Sequence, residues 1–360
     1  MSKDDILFER RGAAGIVTLN RPKALNAVTH AMLLALRTQL TRWADDPAVT
    51  RVVITATEGR AFSAGGDIRA LYDLGKAGRH DEALQFWRDE YPLNAAIKNY
   101  RKPYVALIDG IAMGGGVGVS VHGSHRVAGD RFSFAMPEVG IGFFPDVGAT
   151  WFLPRMPGEL GTYCALTGER FGLGDGVVGG IATHRVPSER FPQLLERLAA
   201  TVSVDAVLSA FNEPVTEQPI AARRAAIDRL FAGDMVENIL AGLDREGGSG
   251  SADAEWAQKT AAVIRSKSPL SLKVALAQVR RGNSWDFETC MRMEFRIVSR
   301  VIHGHDFYEG VRAVIVDKDN APRWRPESLA EVAEAEVERH FAPLSLQRPE
   351  LGLIRACEYQ

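Results

Sequence analysis

The feature that most constrains this chain is a pattern repeated through its first half, in which a short β-branched run is followed by a glycine turn or a helical stretch. The runs Ile16-Val17-Thr18-Leu19, Arg51-Val52-Val53-Ile54-Thr55 and Tyr104-Val105-Ala106-Leu107-Ile108 read as strands. Between the first two, Thr29 is placed to cap a helix on which Met32, Leu36, Leu40 and Trp43 recur with helical spacing, which predicts one buried stripe. Strands alternating with helices predict an α/β fold. After about residue 200 the strand signals fade into alanine-, leucine- and arginine-rich helical windows, interrupted by Gly247-Gly248-Ser249-Gly250-Ser251, read as a surface loop, and by Pro269. The chain therefore divides into residues 1–200, a core carrying the site, and 201–360, a helical C-terminal region.

Two glycine-rich turns stand out, Phe62-Ser63-Ala64-Gly65-Gly66-Asp67-Ile68 and Gly110-Ile111-Ala112-Met113-Gly114-Gly115-Gly116-Val117-Gly118. Neither is a nucleotide cradle. A dinucleotide fingerprint on Gly114 and Gly116 demands glycine at 119, where Val119 stands, and no Gly-Lys-Ser/Thr follows either turn. A serine-hydrolase elbow is nearly present at Gly118-Val119-Ser120-Val121, but His122 fills its closing position, so Ser120 is not expected to be a nucleophile. What remains is a pair of turns that each aim a backbone N–H outward, with Gly114-Gly115-Gly116 expected to open a helix. Glycine there lets a ligand carbonyl approach without a Cβ in the way. Two carboxylates, Glu138 and Asp146, follow eight positions apart. Two N–H donors with acids nearby suit acyl-thioester chemistry.

Composition narrows the partners. Charged residues make up 24% of the 360 and the formal net charge is −2, so there is no electrostatic case for nucleic acid. Cys164, Cys290 and Cys357 lie far apart with no Cys-x-x-Cys, which argues against a disulfide framework or a zinc site and fits a reducing compartment. His303-Gly304-His305-Asp306 has a histidine spacing that matches neither a helical pair nor a zinc loop, so no metal site is expected. His122 and His125 read as satisfied, partly buried histidines, and Arg69 and Lys318 as solvated surface cations. Apolar stretches such as Val117 to Val121 fall well short of the roughly 20 residues that span a bilayer, so no membrane partner is expected. The opening Met1-Ser2-Lys3-Asp4-Asp5 is acidic and unlike a leader, so the expected location is cytoplasmic.

The run Leu19-Asn20-Arg21-Pro22-Lys23-Ala24-Leu25-Asn26-Ala27, the turn Ala64-Gly65-Gly66-Asp67, Met113-Gly114-Gly115-Gly116 and Pro137-Glu138 together resemble the enoyl-CoA hydratase/isomerase (crotonase) superfamily, in order over about residues 6 to 190. Within it the chain most resembles the 3-hydroxyisobutyryl-CoA hydrolase branch. That likeness runs through Glu90-Tyr91-Pro92-Leu93-Asn94, Gly116 to Gly123, Met136-Pro137-Glu138 leading to Phe144-Pro145-Asp146-Val147-Gly148, and the segment Glu309 to Lys318. The resemblance implies an α/β fold with a crotonase-type spiral of ββα turns and a helical C-terminal region. It implies a thioester carbonyl held by the N–H groups of Gly66 and Gly115, each such donor being worth roughly 3 kcal/mol in the transition state. It implies an acyl-CoA substrate, with coenzyme A as part of that substrate and no further cofactor. A homo-oligomer, such as a trimer, is compatible with the family.

Hydratases of the superfamily resemble this chain in having a glutamate at the Glu138 position, but they use a second glutamate where this chain has Gly118. Without it, one acid and one base on the same water are hard to arrange. Asp146 stands where hydratases carry a small residue. Glu138 lies among Phe134, Met136, Val139 and Ile141, so burial should raise its pKa, and Asp146 should raise it further. The resemblance implies that Glu138 attacks the thioester carbonyl or serves as base for water, that Asp146 orients water or substrate hydroxyl, and that Glu90 faces the substrate 3-hydroxyl. Leu71, Trp87, Phe143 and Phe144 are expected to shape the acyl pocket. The expected reaction is hydrolysis of a short branched 3-hydroxyacyl-CoA, with hydration or isomerisation of an enoyl-CoA and non-catalytic acyl-CoA binding as the alternatives.

Overall fold

Among the described residues, nine strands form two sheets whose construction follows the glycine turns. The structure, a computed structural model, describes residues 5–200, 202–345 and 349–352. In chain order the strands are β1 (Ile6–Arg11), β2 (Ala14–Leu19), β3 (Arg51–Ala56), β4 (Ala61–Ser63), β5 (Tyr104–Ile108), β6 (Ile111–Met113), β7 (His125–Ala128), β8 (Ser133–Ala135) and β9 (His184–Arg185). One sheet has the order β1-β2-β3-β5-β7-β9, parallel except for the hairpin pair β1 and β2; the other is the parallel trio β4-β6-β8. Each turn of the chain lays one strand in each sheet: β3 then β4, β5 then β6, β7 then β8. This is the expected α/β spiral of ββα turns.

The large sheet is buried on both faces, as parallel sheets require. With side chains alternating along each strand, Val17, Leu19, Val52, Ile54, Ala106 and Ile108 enter the main core. Ile16, Val53, Val105, Leu107 and Val127 face the other way, onto Leu194, Leu198, Val207 and Leu208 of the helices Phe191–Ala199 and Val204–Phe211. The first helix, His30–Asp45, begins as the sequence predicts. Thr29 Oγ1 accepts the Met32 N–H at 3.3 Å, and Met32, Leu36, Leu40 and Trp43 are buried.

Beyond residue 200 the chain is helical, but the main core runs unbroken from Val17 to Leu351. Pro269, read as an interruption, is instead the first residue of the helix Pro269–Gly282, where a missing N–H costs nothing and Ser268 caps. Gly248 to Ser251 are exposed and connect the helices Val236–Gly247 and Ala254–Arg265. Cys164 and Cys290 are buried and unbonded, while Met1 to Asp4 and Cys357 lie outside the described residues. Among the described residues no helix is long and apolar enough to cross a membrane.

Candidate active site

The two glycine turns meet. A Cβ on Gly115 would stand 3.1 Å from the Gly66 nitrogen and 2.8 Å from Glu90 Oε1, so no other residue fits position 115. Gly114, with φ of +43°, makes the bend that brings them together. Among the described residues, neither the Gly66 nor the Gly115 N–H has a backbone or side-chain acceptor. The helix opened by Gly115 is a single turn, Gly115–Gly118, shorter than the sequence suggests. These turns form the wall of a cleft of about 820 Å³ that also exposes Glu90, Glu138, Asp146, Trp87, Phe143 and Ile141.

All three sequence-predicted carboxyls enter this cleft. Glu138 follows Pro137 and opens the 3₁₀ turn Glu138–Ile141, yet it is buried, and its Oε2 has no partner. Burial pushes its pKa well above the ordinary carboxylate range, and the charge of Asp146 pushes it further. Glu90 sits on the helix His80–Lys98 with Trp87 and Tyr91 on the same face; it is 1% exposed and its Oε1 is unpartnered. Its neighbour Asp89 points outward to His30 and Arg37. Burial raises Glu90 strongly as well, with Asp146 and Glu294 adding to it. Asp146 is raised by burial to about 7, while hydrogen bonds from the Tyr91 hydroxyl at 2.9 Å, its own backbone and Trp87 hold it down.

Gly118 has no room for a larger side chain. A Cβ there would lie 2.8 Å from Asn94 Nδ2 and 2.9 Å from Val147 Cβ, so the place of a second hydratase-type glutamate is filled. Leu71 is buried in the core and does not line the cleft, unlike Trp87 and Phe143, whose rings stack at 5.6 Å. Ser120 is buried and donates to the Gly116 carbonyl at 2.7 Å, an ordinary helix contact. His122 is buried, pushed down to about 3 by desolvation, and as the neutral ring donates from Nε2 to the Val147 carbonyl at 2.6 Å. His305 is bonded to Asp306, and the His303 ring lies against that of His80; no cluster of metal-ligating side chains occurs among the described residues.

Sequence reasoning missed several members of the site. Tyr91 lies within a helical turn of Glu90, so helical periodicity could have found it. Glu294 could not have been found this way: it lies on the helix Phe287–Val301 and accepts the Gly148 and Thr150 N–H groups at 2.8 and 2.9 Å. The basic side chains Lys23, Arg69, Lys267 and Lys318 all line the cleft, so Arg69 and Lys318 are not remote from the site. Arg69 is held by Asp73.

The cleft, its paired N–H groups and its buried acids sit where a ββα spiral folds back on itself, and the chain belongs to the enoyl-CoA hydratase/isomerase family, which matches residues 14–341. It is 45% identical over 348 residues to a mitochondrial 3-hydroxyisobutyryl-CoA hydrolase of Xenopus laevis, covering 94% of this chain and 89% of that protein. It is 43% identical over 351 residues to the mitochondrial 3-hydroxyisobutyryl-CoA hydrolase of Homo sapiens, covering 95% and 89%. Among solved structures, a carnitinyl-CoA dehydratase from Mycobacterium thermoresistibile superposes with a TM-score of 0.90 at 44% identity, over 97% of this chain and 98% of that one. These relatives overturn the expectation of a cytoplasmic protein, since both hydrolases are named mitochondrial. The acidic opening residues were a poor guide because a leader is absent or present independently of how the domain folds.

Proposed function

We propose that this chain is an acyl-CoA thioester hydrolase that cleaves 3-hydroxyisobutyryl-CoA to 3-hydroxyisobutyrate and coenzyme A, a step in valine breakdown. Identity of 43–45% to hydrolases of that name over nearly the whole chain supports the substrate. The observation that carries the reaction is the arrangement at the closed end of the cleft. Three buried acids, Glu90, Glu138 and Asp146, face the space, and position 118 has no room for a further one.

In this reading the thioester oxygen sits between the Gly66 and Gly115 N–H groups, which stabilise the developing oxyanion. Glu138 supplies the attack on the carbonyl carbon, by its own oxygen or by taking a proton from water. The C–S bond then breaks and the departing thiolate takes up a proton from the buried acids. Where Glu138 itself attacked, water then splits the acyl–Glu138 anhydride, releasing the acid, restoring the Glu138 carboxylate and returning the proton. A pair of acids whose pKa values burial raises suits this sequence, because charge on one favours a proton on the other. The unpartnered Glu90 Oε1 is placed to accept the substrate 3-hydroxyl, which would otherwise leave that buried oxygen unsatisfied. Lys23, Lys267 and Lys318 at the rim suit the phosphates of coenzyme A.

A second reading, hydration or dehydration of an acyl-CoA, is favoured by the name of the Mycobacterium thermoresistibile structure. Thiol release from 3-hydroxyisobutyryl-CoA, run beside loss of the double-bond absorbance of crotonyl-CoA, separates the two. Fast release from the hydroxyacyl substrate alone is expected. Crotonyl-CoA hydration faster than any thiol release would overturn the hydrolase reading, and tight acyl-CoA binding without turnover would leave a binding protein.

A further inference from the structure

Asp146 is carried by a turn that does not hold its own shape. Val147 has φ of +53° and Gly148 φ of +92°, two consecutive left-handed residues, the first of them β-branched. Such backbone persists only where its surroundings over-determine it. The surroundings here are four tethers. The Tyr91 hydroxyl donates to Asp146 Oδ2, His122 to the Val147 carbonyl and Gln278 Nε2 to the Pro145 carbonyl. The fourth tether is Glu294, whose two carboxyl oxygens accept the Gly148 and Thr150 N–H groups that the left-handed bend turns toward it.

Glu294 is an expensive residue to place there. It is fully buried on a helix from the C-terminal half, and no cation figures among the groups acting on it. A bond to two backbone N–H groups alone could be replaced by solvent or by a different turn. A buried carboxyl is costly to keep for that purpose alone, and the charge of Asp146 makes this one costlier still.

We propose that Glu294 is a positioning residue of the active site, which holds the strained 146–150 turn so that Asp146 faces the cleft. The inference rests on the reading of Asp146 given above. Burial and the Asp146 charge raise Glu294 to about 8, beside Asp146 at about 7. The other titratable groups in this electrostatic neighbourhood are Glu90 and Tyr91 on the helix His80–Lys98, Glu138 in its 3₁₀ turn, and Cys290 on its own helix. Nearby cations are engaged elsewhere: Arg88 lies over the Phe295 ring, and Arg300 donates to the His340, Ala342 and Pro343 carbonyls.

The test is a pH series of kcat and KM for the wild-type chain, Glu294→Gln, Glu294→Asp and Asp146→Asn, with thermal unfolding of each. Glu294→Gln keeps the volume but can accept only one of the two N–H groups. It is expected to lose roughly tenfold to a hundredfold in kcat, the scale of a small misplacement of a reacting group, with KM within threefold. Its pH profile should also shift from that of the wild type, because Asp146 leaves the position in which the turn holds it. Glu294→Asp keeps the carboxylate but draws it back by one methylene, so it should show a smaller shift with an intermediate kcat. A merely structural role would lower the unfolding temperature and leave the pH profile unchanged, and that result overturns the proposal. If Glu294→Gln does not fold, wild-type kcat in Glu294→Asp overturns it equally. Asp146→Asn separates the two readings: if it keeps normal turnover, the role of Asp146 fails first, whereas a dead Asp146→Asn beside a silent Glu294→Gln removes only the present inference.

Discussion

Replacing Asp146 by Asn should make the chain more stable and less active, and the gain in stability should grow with pH. Burial raises Asp146 from an ordinary value of 3.8 to about 7. An acid whose folded-state value is raised binds its proton more tightly folded than unfolded, so it destabilises the fold as pH rises. Below pH 4 both states are protonated and nothing is lost. Between pH 4 and pH 7 only the unfolded chain ionises, and above pH 7 the full penalty of roughly 4 kcal/mol is present. Asn does not titrate, and its Oδ1 can still accept the Tyr91 hydroxyl, so the hydrogen bond is kept while the charge is removed. The variant should therefore gain about 2 to 3 kcal/mol more over the wild type at pH 8 than at pH 5. Relief of Glu294, which Asp146 also raises, acts in the same direction. Urea unfolding followed by tryptophan fluorescence at the two pH values measures this from the shift in midpoint. A stabilisation equal at both, or a destabilisation, would refute the claim that the fold holds a proton on this carboxyl.

Three further outcomes follow from the same geometry. Glu138→Gln should lower kcat by about 10²- to 10⁴-fold with native circular dichroism, since the donors at Gly66 and Gly115 are backbone groups; normal turnover would take Glu138 out of the reaction. Tyr91→Phe removes a hydroxyl bonded to a carboxylate at 2.9 Å. Such a bond is worth about 1.5 to 3 kcal/mol, so the Asp146 ionisation should rise by roughly one to two pH units, seen as an upward move of the acid limb of kcat/KM. Gly118→Glu should lower the unfolding temperature without creating hydratase activity, because its Cβ would press on Asn94 and Val147; hydration of crotonyl-CoA by this variant would show that the position is open.

Local patterns were readable where the physics is local. The strands at Val17, Val53 and Val105, the cap at Thr29 and the stripe through Leu36 and Leu40 depend on periodicity and capping, which a linear sequence carries. The three-residue strands β4, β6 and β8 have no such signature, since three residues cannot show a period. At the site, Gly115, Glu138 and Asp146 were legible through short motifs, and the lack of room at Gly118 agrees with its reading as glycine in place of glutamate. Leu71 was assigned to the pocket but faces the core, because hydrophobicity alone does not say which cavity a side chain fills. Glu294 has no local motif around it that would mark it in the sequence. Only the packing of Phe287–Val301 against the strained turn gives it a partner 146 residues away in sequence.

That packing also explains why the site is built from acids that stay partly protonated. Glu90, Glu138, Asp146 and Glu294 are all buried, and no cation figures among the groups acting on any of them. Four carboxyls exposed to water would each ionise at ordinary values and offer no proton donor at neutral pH. The helices after residue 200 remove that water. Gln278 closes over Pro145, Glu294 over Gly148 and Thr150, and the Asp306 carbonyl lies so close to Gly142 that a Cβ there would be 2.1 Å from it. The C-terminal half therefore supplies the low dielectric that lifts these carboxyls above the ordinary range, and the stability lost on burying them is the consequence. If this is the reason for their burial, variants that open the back of the site should move the carboxyl ionisations down before they unfold the chain.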